Sequence, residues 1–173
     1  MVTYIKNIFS ITDHYLQIMM RSICIGCFSL LLILLAGNVF IRNFPFMSFY
    51  WFDEVVELTF AWLVFLGAAK LWAENEHFKL TWVSEKIKSH RTRHIFLIGI
   101  EAISIIFLLI FTFQSLQLTI LAQGWTPVFN VSKRFLYVCM PISGCIMVGY
   151  SLRTMIRELK QLKECKSTHK GSE

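Results

Sequence analysis

Charge is what this 173-residue chain has least of. Only 16% of its residues are Asp, Glu, Lys or Arg, where a soluble domain usually carries about a quarter, and 55% are hydrophobic. Glycine (8) and proline (3) are scarce, which removes collagen-like repeats and low-complexity linkers. No histidine lies at membrane depth: His14, His77, His90, His94 and His169 all fall outside the centres of the apolar runs. A di-haem cytochrome, which needs axial histidines deep in facing helices, is thereby excluded. Four of the five cysteines (Cys24, Cys27, Cys139, Cys145) lie in apolar runs and Cys165 lies in the tail. With none in an outer loop, neither a disulfide framework nor a quinone-linked disulfide oxidase is expected. Cys24 and Cys27 form C-x-x-C inside a helix, where small hydrophobic filling is the simpler reading than redox or zinc chemistry. Phosphate loops, nucleophile motifs and zinc clusters are also missing. His90 and His94 stand i, i+4 apart with no third ligand near and read as a solvated edge. No basic stripe has a folded domain behind it, so nucleic acid is not an expected partner. Nothing in the chain argues for an enzyme, and no cofactor or metal is expected.

What the chain does have is four apolar runs. About 20 such residues cross the ~30 Å hydrocarbon core as a helix. The runs are residues 22–41, 55–73, 95–122 and 135–152, and they predict an all-α integral membrane protein organised as one membrane domain. The third run is long enough to tilt. Pro141 sits inside the fourth and predicts a kink with a freed carbonyl. The first run is too long for the h-region of a cleaved signal and has no small-x-small site after it. Ahead of it, residues 1–20 alternate Ile5, Ile8, Phe9, Tyr15, Leu16 and Met19 with Lys6, Asp13, His14 and Gln17. That pattern fits an interfacial helix lying on the membrane, or an extension of the first span.

Orientation follows from Lys and Arg. Fourteen fall on one side, in residues 1–21, in the stretch from Lys70 through the 74–94 loop, and in the 153–173 tail; three, Arg42, Lys133 and Arg134, fall on the other. The bias places both termini in the cytoplasm. The 74–94 loop is expected to be partly helical in the interface plane, with Leu80, Val83 and Ile87 on one face. Residues 44–52 are rich in Phe, Tyr and Trp and suit the outer headgroup level.

Ionisable residues inside spans are costly and draw functional suspicion. Glu54 and Glu57 lie one turn apart at the outer end of the second run. Glu101 lies about two turns into the third, from the cytoplasmic side. Glu101, Ser104, Leu108, Thr112, Ser115 and Thr119 share one helix face; Glu57, Ala61, Val64 and Ala68, with Gly67 beside them, share another. Both stripes read first as helix packing, with a proton relay or ion site as the alternative. Arg42 is expected near the Asp53–Glu54 pair, because an uncompensated carboxylate at the membrane edge is costly. These small and hydroxylated faces are expected to be buried partly inside this chain and partly against a larger partner, and Gly67 to mark a close helix approach to that partner or, alternatively, only within the four-helix unit.

One stretch carries more than composition. It reads Asn38-Val39-x-x-Arg42, then Trp51-x-Asp53-Glu54, then Trp62-x-x-Phe65-Leu66-Gly67-Ala68-Ala69, then His77. This resembles the small membrane subunit, the DctQ or Q type, of tripartite ATP-independent periplasmic (TRAP) transporters, whose members also have four spans and a similar length. The motif match covers about forty residues. Two positions depart from the pattern: many members carry Arg where this chain has Glu57, and Asp where it has Thr81. The resemblance implies a multi-pass protein of the bacterial inner membrane that braces a large M subunit and contacts membrane lipids. A soluble periplasmic binding protein would dock partly on this subunit, with Arg42, Lys133 and Arg134 as the cations facing it. Uptake would be sodium-driven, of an organic acid such as a C4-dicarboxylate or sialic acid. The rival reading is a self-sufficient small transporter or channel that uses Glu101 as its coupling carboxylate.

Overall fold

In the computed structural model the backbone is described for residues 2–41, 51–74 and 90–170, and side-chain surroundings for residues 13–40, 51–74 and 93–162. Arg42, His77, residues 44–50 of the outer aromatic segment and most of the 74–94 loop lie outside the described residues, as do the side chains of the tail beyond residue 162.

The apolar runs are long helices. α1 spans Val2–Ile41, α2 Phe52–Ala73, α3 His90–Leu121, α4 Lys133–Tyr137 and α5 Cys139–Lys170. Four stretches are long and apolar enough to cross a membrane: Asp13–Phe40, Phe52–Ala73, Arg93–Leu121 and Lys133–Leu162. α1 is one unbroken helix, so the segment before the first run continues straight into it. No proline interrupts residues 2–41 and the first glycine is Gly26, so nothing locally compels a break. Forty residues at ~1.5 Å each make about 60 Å, well beyond the ~30 Å core.

Pro141 acts at a helix start. It is the third residue of α5, where a missing N–H costs least, and the break falls just ahead of it at Val138, between α4 and α5. The carbonyls around the break are met locally. Cys139 Sγ donates to the Leu136 carbonyl at 3.1 Å, and Ser143 Oγ donates to the Cys139 carbonyl at 2.7 Å.

Three helix pairs carry the packing: α1 on α2, α2 on α5, and α5 on α3. α1 against α3, the pair that would close a bundle, has no packing of comparable extent among the described residues. The helices therefore form an open row in the order α1, α2, α5, α3. α5 sits inside the row and is the most enclosed; α1 is the least. A small core lies where the row is thickest, with Met20, Ala69, Ala73, Leu108 and Met147. On α3 the buried and half-buried residues include the whole stripe Glu101, Ser104, Leu108, Thr112, Ser115 and Thr119, the face turned to α5. On α2 the buried residues are Thr59, Leu66, Ala69 and Ala73. Glu57 and Val64, from the stripe expected to pack, are exposed.

Within this chain the close approach falls at Gly144, and Gly67 is left with room around it. A methyl carbon on Gly67 would find only Cys24 Sγ, at 4.0 Å, whereas one on Gly144 of α5 would meet Thr112 Cβ at 3.3 Å and Phe111 Cδ1 at 3.5 Å. Gly67 faces the loosely covered α1, and Gly144 sits in the tightest pair, so the backbone contact is at Gly144.

Candidate functional site

The helices alternate in direction, which gives the row two ends. One holds the start of α1 and the end of α5. The other holds Trp51 and the α3–α4 loop. Polar side chains gather at both.

At the first end α5 ties the row together. Tyr150 donates its hydroxyl to Asp13 Oδ1 of α1, and Arg153 Nη1 lies 2.7 Å from Asp13 Oδ2. One residue on from Tyr150, Ser151 Oγ accepts from Trp72 Nε1 of α2 at 2.7 Å and lies near the Glu101 carboxylate of α3. Two turns on, Glu158 Oε2 lies 2.9 Å from His94 Nδ1 of α3. Residues 150, 151, 153 and 158 thus reach all three other long helices. Glu101 is 5% exposed and Ser151 1%. A carboxylate enclosed in this way needs a polar neighbour, and the Ser151 hydroxyl is the one beside it. A cleft of about 250 Å³ opens beside the cluster, lined by Asp13, Ala73, Tyr150, Arg153, Thr154 and Arg157.

At the second end the α3–α4 loop is a tight hydrogen-bonded turn. Trp125 and Ser132 pair as an antiparallel bridge. Thr126 N donates to the Val131 carbonyl at 2.9 Å, and Val131 N donates to Thr126 Oγ1 at 3.0 Å. Gly124 has φ +108° and Asn130 φ +51°; these are the residue types that accept left-handed backbone. Glu54 clamps the turn from α2. Its carboxylate accepts from Val128 N at 3.0 Å and from Phe129 N at 3.3 Å. Arg134 Nε donates to the Ala122 carbonyl at 3.2 Å, so this cation caps the end of α3, where orphan carbonyls and the helix dipole favour it. Ser132 caps α4 by accepting from Arg134 N.

The remaining residues singled out from the sequence are distributed as follows. Asn38 is exposed near the end of α1; Trp51 and Asp53 are exposed at the start of α2. Trp62 lies against Phe135 with ring centres 5.6 Å apart, and its indole N–H is enclosed without an acceptor among the described residues. Ala68 and Gly67 are half-buried, and Lys133 is exposed. Glu54 is held by backbone N–H groups of the turn; Arg42, its expected partner, lies outside the described residues. His94 is paired with Glu158. Sequence reasoning missed the α5 residues Tyr150, Ser151, Arg153 and Glu158. Their signal was present: Ser143, Met147 and Ser151 recur every fourth residue, with Gly144 beside them.

The arrangement defines a class: a polytopic all-α membrane protein whose polar groups hold helices and turns to each other. Among the described residues no three metal-ligating side chains come together. The particular family follows from comparison with known proteins. The chain belongs to the DctQ component of the tripartite ATP-independent periplasmic transporters, whose family model matches residues 31–161. This is a transporter component family and not a catalytic one, and it makes the chain a multi-pass membrane protein of a transporter complex with other subunits. No individually curated protein matches the chain.

Proposed function

We propose that this chain is the small scaffold subunit of a TRAP transporter in a bacterial inner membrane, with both termini in the cytoplasm. In this reading it braces a large M subunit, which holds the substrate and sodium sites, and it offers part of the dock for a periplasmic binding protein. The complex takes up an organic acid, of the dicarboxylate or sialic acid kind, with sodium.

The observation that carries the reading is the open row. A protein that moves solute by itself needs a path between helices, with polar groups turned toward it. Here Glu101 and the α3 hydroxyls are turned into the helices themselves rather than toward a path. Glu101 is buried against α5 beside Ser151, and the hydroxyls of Ser104, Thr112, Ser115 and Thr119 each donate to a carbonyl of their own helix. That supports a brace over the alternative in which Glu101 is a coupling carboxylate. For docking, Lys133 is the better candidate, since Arg134 also caps α3.

Reconstitution tests it. The chain alone in liposomes is expected to move no solute. Together with its large subunit and binding protein it supports sodium-dependent uptake, and omitting it abolishes uptake. Transport by the isolated chain would refute the scaffold reading.

A further inference from the structure

The face of α2 that this chain leaves open has a shape and a charge. Glu57, Phe60, Ala61, Val64 and Phe65 form one wall of a groove of about 370 Å³, and Leu136, Tyr137 and Met140 form the other. Ala61 keeps the α2 side shallow-walled, while Phe60 is 58% exposed beside it. Such a groove has the form that a helix ridge fills.

The one acidic side chain in its lining is Glu57. The residue lies five positions into α2, about 7.5 Å along the axis from Phe52, at the start of a stretch apolar enough to span. Its side chain is exposed. Among the described residues no cation pairs with it, and Glu54, one turn away, is spent on the α3–α4 turn. A glutamate has only two methylenes, so it cannot snorkel as far as a lysine does. A carboxylate on an outward membrane face is costly unless a cation or donor meets it.

We propose that this groove is the seat of a transmembrane helix of the large M subunit, and that this helix carries an Arg or Lys that pairs with Glu57. The proposal rests on the scaffold reading and adds which face is used and what the partner must carry. Apolar complementarity supplies the contact; the charge fixes depth and register. A lipid chain could fill the apolar part but would leave Glu57 unmet.

The test uses the whole transporter, with a photo-crosslinking residue at position 60 or 64, and at position 107 or 110 on the exposed face of α3 for comparison. The expected result is crosslinking of the large subunit from 60 and 64 in strong excess over 107 and 110. The crosslink maps to a helix with Arg or Lys near its outer end. Glu57→Lys should lower co-purification by roughly tenfold or more, with Glu57→Gln retaining more of it. Charge reversal of the mapped cation should rescue Glu57→Lys. Crosslinks confined to lipid, or confined to α3, overturn the proposal even where the subunits co-purify. So does restoration of Glu57→Arg by Arg42→Glu, which would make the pair internal. Failure of any large membrane subunit to co-purify with the unaltered chain overturns the scaffold reading itself. The crosslinking arms keep Glu57 native, so they read out the face even if the charge variants fold poorly.

Discussion

Gly144→Ala puts a methyl group where α3 already sits. The added carbon would lie 3.3 Å from Thr112 Cβ and 3.5 Å from Phe111 Cδ1, with Thr112 Oγ1 nearer still. That hydroxyl is committed, since it donates to the Leu108 carbonyl at 2.7 Å. Relief requires either that Thr112 rotate and give up this bond, or that α5 draw back from α3. Overpacking of this kind costs about 1–3 kcal/mol. Replacing a helical glycine returns roughly 0.5–1 kcal/mol. The expected balance is a loss of about 1 kcal/mol, or roughly fivefold in the folded-to-unfolded ratio. Gly144→Val should lose more. Gly149→Ala is the control, because nothing lies within 4 Å of its added carbon, and only the gain should appear. Thr112→Ala should rescue Gly144→Ala by removing the crowded oxygen, with a coupling of about 1 kcal/mol in the double-mutant cycle. The assay is reversible unfolding in mixed micelles, followed by tryptophan fluorescence. Equal midpoints for Gly144→Ala and Gly149→Ala, or no coupling to Thr112, would refute the reasoning.

Glu54→Ala should speed amide hydrogen exchange at Val128 and Phe129 by roughly five- to tenfold while Asp53→Ala leaves it unchanged, because only Glu54 accepts from those two N–H groups; equal rates in both variants would dismiss the clamp. Ser151→Ala removes the acceptor of Trp72 and should cost about 1–3 kcal/mol. Trp72→Phe should then cost less in that background than alone, and strict additivity of the two would argue against one network. For topology, a reporter after Glu173 should be active only in a cytoplasmic format, and one at Thr126 only in a periplasmic format. A C-terminus found outside would overturn the orientation.

Much of the fold was legible because the membrane simplifies it. A spanning segment must satisfy its own backbone, so hydropathy alone marks the helices. The α3 stripe from Glu101 to Thr119 was legible for a related reason: on a helix exposed elsewhere to lipid, small and hydroxylated residues collect where another helix approaches. On α2 the same logic marked a face without naming its neighbour. Glu57, Ala61, Val64 and Ala68 have the spacing of a packing face, but within this chain Thr59, Leu66, Ala69 and Ala73 are the ones enclosed. Spacing tells that residues share a face, not which face meets which neighbour. The clamp of Glu54 on the turn was not legible, since it joins residues more than seventy positions apart through backbone N–H groups that any sequence supplies. One contact of Arg134 was likewise not legible. As a charge it reads as a surface cation, and its duty to the Ala122 carbonyl depends on where α3 stops.

The helix order explains why the polar groups are spent as they are. A closed bundle can bury its polar residues at its centre, but an open row has no centre and must join its members pairwise. α5, with neighbours on both sides, is the helix from which most others can be reached, and Tyr150, Ser151, Arg153 and Glu158 do so within nine residues. At the far end, where α5 gives way to α4, that reach is lost, and the α3–α4 turn is held by Glu54 of α2. Between these two polar ends the buried cluster is apolar, with Ala69 and Ala73 from α2 and Met147 from α5. Lipid neither drives nor forbids such contact strongly, so small residues and tight fit must hold it. An intramembrane charge that serves neither end, and faces outward, does nothing for the row. Among the described residues Glu57 is that charge, and the partner proposed for it lies in the large subunit.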